Sequence, residues 1–198
     1  MSLVVTVGRS INSLYKAFWS LFGARQPALS FRPVYTPGPF AVADLAELDR
    51  LVARDAFVVL LSHSSQGELM ISHVPILYRR DGEQILIEGH WARGNPQSRH
   101  ATRALIIVRG AHSYISASWF LDKEENGQVP TWDYAVAHLH GELELVEDEL
   151  GKASIVQRLS ELFESSVGSD WVFEYEREDY RKQLKGIVGF RFVVTRVD

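Results

Sequence analysis

Short apolar runs crowd the middle of the chain. "FVVLLS" (57–62), "ELMISHVPILY" (68–78) and "QILIEGH" (84–90) are rich in β-branched residues and too brief for helices. The linkers "HSSQG" and "RRDG" supply turn chemistry, so these runs predict a meander of antiparallel strands. "ALIIVRGAHSYIS" (104–116) predicts a long strand or a bent pair, and "GIVGFRFVVTRV" (186–197) a closing strand. "AVAHLHGELELVE" (135–147) alternates strictly. It puts Ala135, Ala137, Leu139, Leu143 and Leu145 on one sheet face, and His138, His140, Glu142 and Glu144 on the other.

Helical spacing appears in four places. Ile11, Leu14, Tyr15, Phe18, Trp19 and Phe22 make "SINSLYKAFWSLFGA" (10–24) an amphipathic helix, expected to pack on the domain or on a partner subunit. Leu45, Leu48, Leu51 and Val52 form a stripe behind Asp44 and Glu47, which are spaced as a capping box. A short helix is expected over 95–103, and a longer one over 151–166 with Ile155, Leu159, Leu162 and Phe163 on one side. Between the first two, the proline-rich "ARQPALSFRPVYTPGPF" (24–40) reads as an extended arm. The fold class is therefore mainly β with peripheral helices (α+β), a small barrel of antiparallel strands. Residues 1–30 form an N-terminal helix and linker, and 31–198 a single domain.

Composition narrows the chemistry. The 198 residues suit one well-cored domain. A net charge of -4 offers no global basic face to nucleic acid. Cysteine is absent, which excludes disulfides, thiolate nucleophiles and Cys-ligated clusters, and makes a reducing cytoplasm the simplest expected location. No run of 18 apolar residues exists, so no membrane span is expected. Gly-x-Ser-x-Gly elbows, P-loops and Rossmann glycine patterns are missing as well.

Two features remain. His138 and His140, followed by Glu142, have a spacing on one sheet face that suits a divalent metal, or else a solvated strand face. "HWARGNPQSRH" (90–100) gathers His90, Arg93, Asn95, Gln97 and Arg99 at a strand end. These donors and the N–H groups of a following helix suit a phosphate, or else a polar surface loop with a few ion pairs. Tyr114, Trp119, Phe120, Trp132 and Tyr134 stand downstream, where a planar cofactor ring would stack or where a barrel core would take them up.

Six pieces in order, "YTPGPF" (35–40), "SHVPILY" (72–78), "GHWARGNPQSR" (89–99), "YISASWF" (114–120), "VPTWDYAVAHLHG" (129–141) and "IVGFRF" (187–192), resemble the PaiB-like family of FMN-binding split-barrel proteins, negative transcriptional regulators. The resemblance covers about residues 33 to 196. It implies an FMN-binding split β-barrel of Greek-key-like antiparallel strands. It also implies a homodimer with FMN at the subunit interface, and a flavin-binding transcriptional regulator or flavin-dependent accessory protein. The matched positions His90, Arg93 and Asn95 would meet the FMN phosphate and ribityl chain, with Trp132 and His138 lining the pocket. No catalytic acid, base or nucleophile is identified, so any redox chemistry would be the flavin's.

The chain departs from the family pattern at Ser98 (usually Trp), Ala111 and Ala117 (usually Pro), Asp133 (usually Asn) and His140 (often aromatic). It stops at Asp198, before the Lys-rich tail of its relatives. These departures keep two alternatives open. One is a flavin-free regulator or interaction protein. The other is a haem- or metal-binding split barrel using its histidines, as in other split barrels.

Overall fold

A computed structural model of the protein describes residues 3–5, 34–100 and 103–198. Strands β1 (Leu3–Val5) and β2 (Ala41–Val42) pair in parallel. Helix α1 (Leu45–Arg54) leads into β3 (Phe57–His63), β4 (Leu69–Pro75), β5 (Leu77–Asp81) and β6 (Gln84–Ala92). A single turn of 3-10 helix at Pro96–Arg99 precedes β7 (Arg103–Ile115) and β8 (Thr131–Val146). Helices α2 (Glu149–Ser166) and α3 (Glu178–Gln183) then bring the chain back through β9 (Ile187–Val197). Seven strands form one antiparallel path in the order β4-β3-β7-β8-β9-β6-β5, and β1 joins β8 in parallel at Ala135 and Val136.

The inner side of this curled sheet is the core. Leu60, Ile87, Trp91, Ile106, Leu139, Phe190 and Phe192 are buried there in one cluster with the Leu48–Val52 side of α1. Each such side chain contributes roughly 1.5–3 kcal/mol of burial. The outer side is divided. Helix α2 covers β5, β6 and β9, with Ile155 and Leu159 packed against Val146. Over β3 and β4 the outward side chains Phe57, Leu69 and Ile71 stay more than half exposed, at 55%, 53% and 54%.

Several expectations are corrected. The run 68–78 is two strands, parted at Ile76, whose N–H leaves the ladder for Ala56 O (3.0 Å). Only four residues of the expected 95–103 helix are helical, and Arg103 already belongs to β7. The stretch 104–116 is one strand with a bulge between Arg109 and His112. Strand β8 starts at Thr131, four residues before the alternation becomes strict. Asp44 caps α1 by accepting from Ala46 N, but Glu47 turns to an ion pair with Arg50 and leaves the capping box unclosed. Helix α2 starts at Glu149, because Asp148 caps it, and its buried side is Lys152, Ala153, Ile155 and Leu159; Leu162 and Phe163 are exposed. Helix α3 lies in a polar stretch with no readable period. The expected helix over 10–24 and most of the 24–40 arm lie outside the described residues.

Candidate functional site

The motif at 89–100 is first of all a plug. Trp91 points into the barrel against Phe190, with ring centroids 4.5 Å apart. Gly89 makes room for that ring, since a Cβ there would lie 2.6 Å from Phe190 Cζ. The chain then turns into the 3-10 helix, where Asn95 Oδ1 accepts from Gln97 N (3.0 Å) and its Nδ2 donates to Ser72 Oγ (2.8 Å). Gln97 is 1% exposed, and its Nε2 donates to Ser62 Oγ (2.8 Å), Met70 O (3.2 Å) and Leu60 O (3.3 Å). Ser98 is buried beside it and donates to Asn95 O (2.7 Å). Arg93 donates from Nε to Lys185 O (2.9 Å) and from Nη2 to Ile187 O (3.2 Å). Only its Nη1 faces outward, 3.7 Å from Glu147. Most of the donors that stand out in the sequence therefore close the barrel end across β3, β4 and the start of β9.

His90 lies on the outer side of β6, in line with Glu88 and opposite Gly189. Its Nδ1 is buried without a hydrogen-bond partner, and burial holds the imidazole below its ordinary pKa.

A second group of candidates sits on β8. Trp132 is 55% exposed and opposes Tyr114 across the β7–β8 ladder. Its ring meets Tyr114 edge-on at 6.0 Å and stacks beside His112 at 6.3 Å. His138 shares that outward row, and burial lowers its pKa. Next along it, His140 Nε2 lies 2.9 Å from Asp198 Oδ2, while Arg196 Nη2 reaches both Asp198 Oδ2 (2.9 Å) and His140 Nε2 (2.8 Å). Among the described residues no three His, Asp or Glu side chains are grouped to hold a metal ion.

The two groups do not meet within one protomer. His90 lies in the cross-strand row of Gly189 and Val146. His138 stands eight residues from Val146 along β8, about 26 Å of strand, and Trp132 about 46 Å. The sheet thus holds an imidazole and an arginine at one end, and an aromatic wall with a second imidazole toward the other.

Residues 34–196 match the family described as "Putative FMN-binding domain". The chain belongs to this family. It is 31% identical over 169 residues to the protease synthase and sporulation protein PAI 2 of Bacillus subtilis, covering 83% of this chain and 78% of that one. Among solved structures it resembles the flavocytochrome Anf3 of Azotobacter vinelandii, with a TM-score of 0.55 and 13% identity over 78% of this chain and 65% of that one. It also resembles a FAD- and haem-binding protein of Mycobacterium smegmatis, with a TM-score of 0.50 and 16% identity over 77% and 71%. At such identities these two share the fold alone with this chain.

The donor set fits one part of FMN better than the other. Trp132, Tyr114 and His112 present flat, half-exposed rings suited to stacking an isoalloxazine. For a phosphate, the 89–100 motif leaves Arg93 Nη1, the exposed Arg99 and the buried, unpartnered His90 Nδ1, because Asn95 and Gln97 are bonded internally. The pairing of His140 with Arg196 and Asp198 was missed by sequence reasoning. Alternation along β9 places Arg196 and Asp198 on one face, but their partner strand is set by topology.

Proposed function

We propose that this protein is a homodimeric FMN-binding split barrel of the PaiB type, acting as a flavin-responsive transcriptional regulator or flavin-dependent accessory protein. The separation of His90 and Arg93 from Trp132 and His138 carries this reading. A ligand touching both groups requires a second copy, whose β7–β8 arm would reach the 90–93 end of its partner. Among the described residues, the outer face of β3 and β4 supports the same pairing, because the exposed apolar side chains Phe57, Leu69 and Ile71 suit an interaction surface.

In this reading the Trp132 ring stacks on the isoalloxazine and His138 borders it. Arg93 Nη1, released from its loose contact with Glu147, and His90 meet the phosphate end. Asn95 shapes the loop that carries Arg93. FMN, when bound, supplies electron and hydride transfer at its ring. The chain's own residues bind and orient it.

The test is titration of flavin-stripped protein with FMN, read by flavin fluorescence and by mass in solution. Saturable micromolar binding to a dimer, weakened about tenfold in Trp132→Ala and in Arg93→Ala, supports the reading. No binding at high micromolar FMN overturns it and turns attention to haem, which an absorbance scan of the same sample detects.

A further inference from the structure

Two cations from distant parts of the chain hold the turn that leads into β9. The turn is one round of 3-10 helix, Leu184–Gly186, followed by Ile187 at the start of the strand. Arg93 donates from Nε to Lys185 O (2.9 Å), from Nη2 to Ile187 O (3.2 Å) and from its backbone N–H to Gly186 O (2.8 Å). The fourth carbonyl, Leu184 O, accepts from Lys152 Nζ at 2.8 Å and from Ile187 N. Each carbonyl of 184–187 is thus engaged by Arg93 or by Lys152.

Fold stability does not account for a lysine at 152. The residue is 5% exposed, and among the described residues its ammonium has Leu184 O as partner and no carboxylate. A buried cation facing a neutral carbonyl is less favourable than an apolar side chain of similar length. Lys152 also stands four residues after the Asp148 cap of α2, at the positive end of the helix dipole, where a cation is disfavoured. The apolar contact between α2 and the turn is already made by the neighbouring Ala153, which clusters with Leu184 and Phe173.

We propose that Lys152 is a positioning residue for phosphate recognition, fixing the 184–187 turn whose carbonyls aim Arg93 Nη1 at the phosphate of a flavin nucleotide. The inference rests on the reading of Arg93 given above. A free arginine side chain loses much rotamer entropy when it grips an anion. Here two of its nitrogens and its backbone N–H are already tied to the turn, so the fork is set before the ligand arrives. That preorganisation holds only while the turn keeps its place, and Lys152 ties the turn to the long helix α2. Its charge, paired with a carbonyl alone, also adds to the positive field that an anion meets there.

The experiment compares FMN with riboflavin, which lacks the phosphate, on the flavin-stripped full chain of wild type and Lys152→Met, with urea unfolding to confirm that the variant is folded. Wild type should bind FMN about tenfold more tightly than riboflavin. Lys152→Met should lose about fivefold in FMN affinity and less than about twofold in riboflavin affinity. A second measurement needs no variant: in wild type, amide exchange at Arg93 and Ile187 should be slower with FMN bound than with riboflavin bound. An unchanged FMN preference in Lys152→Met, an equal loss for both flavins, or equal exchange with both overturns the inference and leaves the flavin reading standing. Wild type that binds neither flavin, or both alike, overturns the reading of Arg93 and the inference with it.

Discussion

The Gln97 side-chain amide donates to Ser62 Oγ at 2.8 Å, across 35 residues of sequence and inside the barrel end. This bond, with the Gln97 contacts to Leu60 O and Met70 O, turns a motif that resembles a ligand loop into a structural closure. Gln97→Ala removes a buried amide whose two N–H groups are shared among three acceptors. Unfolding in urea should show a loss of about 2 kcal/mol, since each buried polar group left unpaired costs about 1–3 kcal/mol.

Glu88 links α2 to the sheet. It accepts from Arg158 of α2 and from Arg191 of β9, the latter at 3.2 Å. Burial alone would raise its pKa, but the two arginines outweigh that and hold it below the usual carboxylate value. Glu88→Gln should cost about 1–2 kcal/mol, because hydrogen bonds to charged groups are worth about 1.5–3 kcal/mol and both arginines stay partly solvated. A folded-state pKa below the unfolded one means that this contribution is present above the unfolded value and disappears as pH falls through the folded value. The difference between wild type and Glu88→Gln should therefore narrow in acid, which denaturation at pH 7 and pH 3 checks.

His90, His138 and His140 all have imidazole pKa values lowered from 6.5 by burial. The unfolded chain takes up these protons first. Their contribution is complete above 6.5 and declines as pH falls through the folded values. The urea midpoint should drop between pH 7.5 and pH 5.5, and the drop should be smaller in His90→Gln.

Gly141 sits at the β8–β9 register shift, where a Cβ would overlap the Val193 carbonyl oxygen and lie 2.7 Å from Phe192 Cζ. The backbone cannot yield there as a flexible side chain would. Gly141→Ala should lose about 3 kcal/mol or fail to accumulate as folded protein. Gly94, with nothing within 4 Å of its Cβ position, serves as the control, and Gly94→Ala should stay within about 0.5 kcal/mol.

The period of two in β8, the apolar runs of β3 and β6 and the stripe of α1 were legible in the sequence because each is a local pattern that one buried face imposes. Family membership was legible for a similar reason, since the ordered motifs carry the contacts of a particular barrel. The tertiary structure alone decided which donors of the 89–100 motif remain for a ligand. Asn95, Gln97 and Arg93 meet acceptors on β3, β4 and β9, up to 94 residues away, and hydrogen-bonding capacity spent on such partners leaves no mark near the motif. It also decided that His140 belongs to Asp198 and Arg196, and that His90 and Trp132 stand far apart on one protomer. Local sequence sets which residues share a strand face, whereas strand order and register set which faces meet.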